Sequence, residues 1–220
     1  MSEIITDTNP ATGTSSANVV EGPIGHEHQR LFYLHDLPDF KVHHDDPDVR
    51  GWSVKLADGT AVGKVENLIV DKGAQRVRYV EVTGDRGFFA DYQRDDYYLD
   101  GDSDTVFGLD HDSHFIVPIA MIRLDRSDKD CYIESIGRDV VGSVPRYRRG
   151  SSIRPSYEVS TLTHYNTGEH EYAAGFNERR YRDFEDGPFR SLDDHFYTSG
   201  YFNEGRFYDR HAESINSKGL

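Results

Sequence analysis

Along residues 51–82, "GWSVKLADGTAVGKVENLIVDKGAQRVRYVEV", apolar and polar positions alternate with a period of two. Trp52, Val54 and Leu56 fall on one face and Ser53 and Lys55 on the other. This strand ends at Asp58-Gly59, where a glycine can supply the positive φ of a tight hairpin turn. Val62 to Val70 returns as a second strand, with Gly63 marking a bulge or a close approach, and "DKGAQ" (71–75) turns it into a third, Arg76 to Val82. The three predict an antiparallel meander. Further on, "HFIVPIAMIRL" (114–124) is almost continuously apolar, as expected of one strand covered on both faces. Its Pro118 lacks a ladder donor and points to an edge or a bulge. "DRSDKD" then turns the chain into "CYIESI" (131–136), which closes a last hairpin. Five or more short strands without a long helical period predict a small β-barrel.

Outside this region the pattern changes. Residues 1–31 are rich in Ser, Thr, Asn and Gly and offer little to bury, which predicts a polar, flexible N-terminal arm. Residues 32–136 hold nearly all the β-branched runs, with 12 Lys/Arg against 22 Asp/Glu, so the core is expected there. Residues 137–220 carry 12 Lys/Arg against 13 Asp/Glu and 14 of the 26 Phe and Tyr residues, but few aliphatics. This composition describes a long aromatic C-terminal extension with at most short helices. One of these is predicted in "SIRPSYEVSTLTHY" (152–165), starting at Pro155, with Val159, Leu162 and Tyr165 on one side, placed to cap an open end of the barrel. Arg146, Arg148 and Arg149 precede it and favour docking on an acidic barrel.

Arg50-Gly51, Asp58-Gly59, Val62-Gly63, Val65 and the later apolar strand with Pro118 together resemble the PRC-barrel family. That family includes the cytoplasmic part of the photosynthetic reaction-centre H subunit and the C-terminal domain of RimM. The resemblance spans about residues 32–136. The flanks "LHDLPDFKV" and "VPRYRRGSSIRPSYE" look like those of a standalone bacterial, H-subunit-like subgroup. It implies a mainly β fold, a small open PRC-type barrel that self-associates and acts through protein or RNA contacts, without a catalytic centre. Two departures matter. The H subunit has a membrane-spanning helix before its barrel, whereas residues 1–31 are polar, and RimM has a further barrel for which this chain has no counterpart.

The net charge of −14 opposes phosphate backbones and anionic membranes, so nucleic acid is not the expected partner and an RNA- or ribosome-associated role ranks last. No apolar run reaches the length of a membrane span and no signal peptide is visible, which predicts a cytoplasmic location. The single cysteine, Cys131, excludes an internal disulfide. It falls in a predicted strand, and no Gly-x-Ser-x-Gly elbow, Walker A or Gly-x-Gly-x-x-Gly loop occurs, so neither an enzyme nor a cofactor is expected.

Two sets of residues are candidate metal ligands. In "DGDSDTVFGLDHDSH" (100–114), Asp100, Asp102 and Asp104 match the first three ligand positions of a calcium loop, but Thr105 replaces the glycine and His111 the clamping glutamate. A solvated acidic excursion with Phe107 and Leu109 tucked against the barrel is the expectation, and a divalent-metal or small-ligand accessory role the alternative. His26 and His28, His43 and His44, and His111 and His114 form pairs, whereas a transition metal needs three or four convergent ligands. Surface placement is expected for them. Finally, "FNERRYRD" (176–183) and "FNEGRFYD" (202–209) repeat at a spacing of 26 residues. Phe176, Tyr181, Phe202 and Phe207 are the candidate adhesive anchors, for a second copy of the chain or for another protein.

Overall fold

The computed structural model of the chain describes residues 29–92, 114–167, 171–187 and 190–207. Seven strands form one sheet: β1 (Leu31–Tyr33), β2 (Ser53–Leu56), β3 (Ala61–Asp71), β4 (Arg76–Gly84), β5 (His114–Pro118), β6 (Ile122–Asp125) and β7 (Asp130–Ile133). The predicted meander is β2, β3 and β4, all antiparallel. Gly59 has φ +87° in the β2–β3 turn, where its N–H donates to Leu56 O at 2.9 Å. Gly63 sits where β3 runs close to β4, and a Cβ there would collide with the Thr83 carbonyl.

The apolar run 114–124 departs from the single strand expected of it. Pro118 ends β5, and the three-residue 3-10 turn Ile119–Met121 leads into β6. Proline breaks the ladder, and the chain uses the break to change partners. β5 pairs with β4, β6 pairs with β7, and β7 lies parallel to β2. The strand order is therefore β5-β4-β3-β2-β7-β6, with β1 attached to the far end of β3. The two terminal strands of this order are joined by only that short turn. The sheet must curl until its edges approach, which makes a small open barrel. Val54, Val62, Val80, Val82, Val117 and Ile133 are fully buried in its core.

Short helices complete the molecule: α1 (Arg86–Phe89), α2 (Arg138–Gly142), α3 (Pro155–Tyr165), α4 (Glu178–Tyr181) and α5 (Glu204–Phe207). Helix α3 starts with Pro155 in its first turn and buries Val159, Leu162 and Tyr165, as predicted from their spacing. Helix α5 packs against β6 and the 119–121 turn, and the 3-10 turn Gly200–Phe202 packs on that same turn. The extension thus covers the seam where the barrel is open. No helix among the described residues is long and apolar enough to cross a membrane.

Candidate interaction face

Successive side chains of a strand point to opposite faces. In β4, Val80 and Val82 take the barrel interior, which leaves Tyr79, Glu81 and Thr83 on the outer face. Two of these three would ordinarily be solvated, yet Tyr79 and Glu81 are buried at 0% and 2% exposure. The C-terminal extension covers them.

The Tyr79 hydroxyl donates to Glu158 Oε2 of α3 at 2.9 Å, and the Tyr197 hydroxyl, from the 3-10 turn Phe196–Thr198, donates to the same carboxyl at 2.9 Å. Glu158 therefore joins the barrel to two separate parts of the extension. Burial pushes its carboxyl up to about 8, against the Tyr197 and Tyr79 hydrogen bonds and the positive charge of Arg30, which favour ionisation. One residue pair along, Glu81 Oε1 accepts from the Tyr147 hydroxyl at 2.8 Å and lies 3.1 Å from His114 Nδ1. The Tyr147 N–H also donates to His114 O at 2.8 Å, so the extension adds a bridge to the outer edge of β5. Thr83 donates to Glu66 Oε2 at 3.2 Å, and Glu66 also pairs with Arg149.

Bulges contribute to this recognition. Between the pairs Val65–Val82 and Asn67–Glu81, β3 carries one extra residue, Glu66. Between Val70–Val77 and Ile69–Tyr79, β4 carries an extra Arg78. A bulge re-aims a side chain and bends the strand. Glu66 meets Arg149, and Arg78 Nη1 donates to Tyr197 O at 3.4 Å. Arg78 and Arg30 share the buried Asp71, at 3.2 and 2.8 Å, and stand 5.1 and 4.1 Å from the centre of the Tyr197 ring. Burial works to raise the Asp71 carboxyl, but the Ala74 N–H and Arg30 outweigh it and hold it below its ordinary range.

The four predicted anchors lie on this side of the molecule, within one chain. Phe202 meets the Tyr79 ring edge-on at 5.3 Å, and Tyr181 meets Phe196 edge-on at 5.2 Å. Phe176 is half-buried and touches Tyr181, Phe196 and Tyr201, while Phe207 is buried. These side chains pack inside their own chain. The two "FNE" copies also fold alike, each as an asparagine followed by a one-turn helix, α4 and α5. Asp100, Asp102, Asp104, Phe107, Leu109, His26, His28 and His111 lie outside the described residues. His114 is buried against Glu81, and His43 and His44 are exposed.

Sequence reasoning passed over Glu158, Glu81, Tyr79, Tyr197 and Arg78. A signal existed for the first: Glu158 shares the α3 stripe of Leu162 and Tyr165 at spacings of four and seven, so a carboxyl stands in an apolar row.

Residues 41–140 match the PRC-barrel domain family. This segment is a PRC-barrel domain. It begins after β1, runs through β2 to β7 and ends within α2, so the outer face of β4 belongs to the PRC barrel, while most of the extension that covers it lies beyond the matched residues. No curated protein matches the chain.

Proposed function

We propose that this chain is a non-enzymatic assembly module, in which the outer face of a PRC barrel recognises a Tyr- and Arg-rich segment. Its own C-terminal extension is the resident ligand, and the same contacts made between copies give self-association. The observation that carries this reading is the burial of Tyr79 and Glu81, two outward-facing polar residues each bonded by the extension. Such a face is specific, because an occupant that left these groups buried and unpaired would incur their full desolvation cost. The PRC family supports an interaction role, and the one cysteine fits it: burial pushes the Cys131 thiol up to about 12, far from a reactive thiolate.

Light scattering over a concentration series tests the assembly role. Self-association is expected, and the Phe176→Ala, Tyr181→Ala, Phe202→Ala, Phe207→Ala variant should have a lower mass while circular dichroism of the strands persists. The milder Tyr79→Phe, Tyr197→Phe pair, which removes only the two hydroxyls on Glu158, should move the mass in the same direction. A wild-type chain that is monomeric at every concentration would refute self-association, and a mass unchanged in both variants would remove the extension from it.

A further inference from the structure

The segment between Leu37 and Val49 is held at both ends by those two buried side chains. Between them, the Asp46 N–H donates to His43 O at 3.0 Å and closes a turn. On this turn the donor atoms of His43, His44 and Asp45 all lie within 4.8 Å of one another. The carboxylate stands between the two imidazoles, with His43 Nδ1 3.6 Å from Asp45 Oδ2 and His44 Nε2 3.2 Å from Asp45 Oδ1. In a tetrahedral site with bonds of about 2.1 Å, ligand atoms are separated by about 3.4 Å; each His–Asp distance, taken to a different Asp45 oxygen, is near that value, and the set of three must close in from 4.8 Å to share one ion. The Asp45 N–H donates to His43 Nδ1 at 3.4 Å, which marks that nitrogen as the lone-pair side of the ring, and an arriving ion would replace this long bond.

The surroundings do not oppose a cation. The adjoining groove is lined by Phe40, Lys41, Val42, Asp46, Asp48 and Arg50 among others, and Arg50 is already engaged by Asp48. Asp48 is neutralised by Arg50, and Asp46 and Lys41 carry opposite charges, so the groove is close to neutral and does not repel a cation. Imidazole nitrogens with one carboxylate suit first-row transition ions, whereas calcium and magnesium require oxygen-rich cages.

We propose that His43, His44 and Asp45 form a surface site for a divalent first-row transition ion of the zinc class, with water completing the coordination. This site is independent of the β4 face, and its ligands are exposed, so replacing them leaves the core intact. The test is calorimetric titration of the full chain, freed of metal by chelator, with Zn2+ and separately with Ca2+. His43→Ala with His44→Ala should weaken one zinc-binding event by roughly tenfold or more. His195→Ala, at an exposed histidine elsewhere, should leave it unchanged. Nuclear magnetic resonance should show Ni2+ broadening signals of residues 40–50. Equal zinc affinity in the double variant, or Ni2+ broadening that spares this segment, would overturn the proposal. So would wild-type binding of Ca2+ as tight as Zn2+ that the double variant abolishes.

Discussion

Glu158 is the residue whose chemistry reaches furthest. A carboxyl whose folded-state value is raised from 4.5 to about 8 binds its proton more tightly folded than unfolded. Its contribution to stability is therefore complete below the ordinary carboxylate range and is lost as pH rises toward 8. The slope of that loss is up to about 1.4 kcal/mol per pH unit. Glu158→Gln keeps the shape and removes the titration, so its stability should vary less than that of the wild type between pH 5 and 8. Chemical denaturation at several pH values measures this, and parallel curves would show that Glu158 does not titrate there. Asp71 acts with the opposite sign, since its lowered value stabilises above its unfolded range and is lost on acidification. The glycine of the first hairpin gives a second residue-scale expectation. At φ +87° a β-branched side chain is strained, so Gly59→Val should cost about 1 kcal/mol or more and lower the melting midpoint. An unchanged midpoint would mean that the turn relaxes without cost.

At the scale of elements, bulges and short helices work together. The bulged residues Glu66 and Arg78 both reach the extension, and the one-turn helices α4 and α5 bring the aromatic ends of the two "FNE" segments onto the barrel side. None of these helices is long enough to be stable alone, so packing holds them. Phe202→Ala should cost about 3–5 kcal/mol through lost burial and the cavity left beside Tyr79. Because the extension should loosen before the sheet does, limited proteolysis should cut within residues 171–207 before it cuts within the strands, while strand circular dichroism is retained. Cleavage beginning inside β3 or β4 would contradict that order. The elements also show where pattern reading reached. Strands β2, β3, β4 and β7 and helix α3 followed from periodicity, turn residues and one proline. The division of 114–124 did not, because a buried run looks the same whether it continues or changes partner strand.

For the whole molecule, charge and cover are the relevant quantities. With a net charge of −14, like-charge repulsion opposes the compact state. Asp102→Asn with Asp104→Asn should leave the melting midpoint unchanged or slightly higher at low salt without metal. A loss of stability seen only when calcium is present would instead make this acidic stretch a binding loop. The extension contributes tyrosine hydroxyls rather than an aliphatic core: Tyr147 bonds Glu81, Tyr165 donates to Ile116 O at 3.1 Å, and the barrel's own Tyr33 donates to Ser151 O at 2.7 Å. An aromatic segment that cannot form its own core is well suited to such use, since each ring brings apolar area and a polar tip.

The sequence by itself determined what local chemistry controls: the alternation of the meander, the glycine turn, the helix start at Pro155, the acidic balance and the PRC motifs. The tertiary structure alone decided the parallel β2–β7 pair, the curling of the sheet at the 119–121 turn and the burial of Tyr79, Glu81 and Glu158. These depend on which surfaces meet across many tens of residues of chain. A carboxyl in water and a carboxyl beneath two tyrosines are written with the same letter.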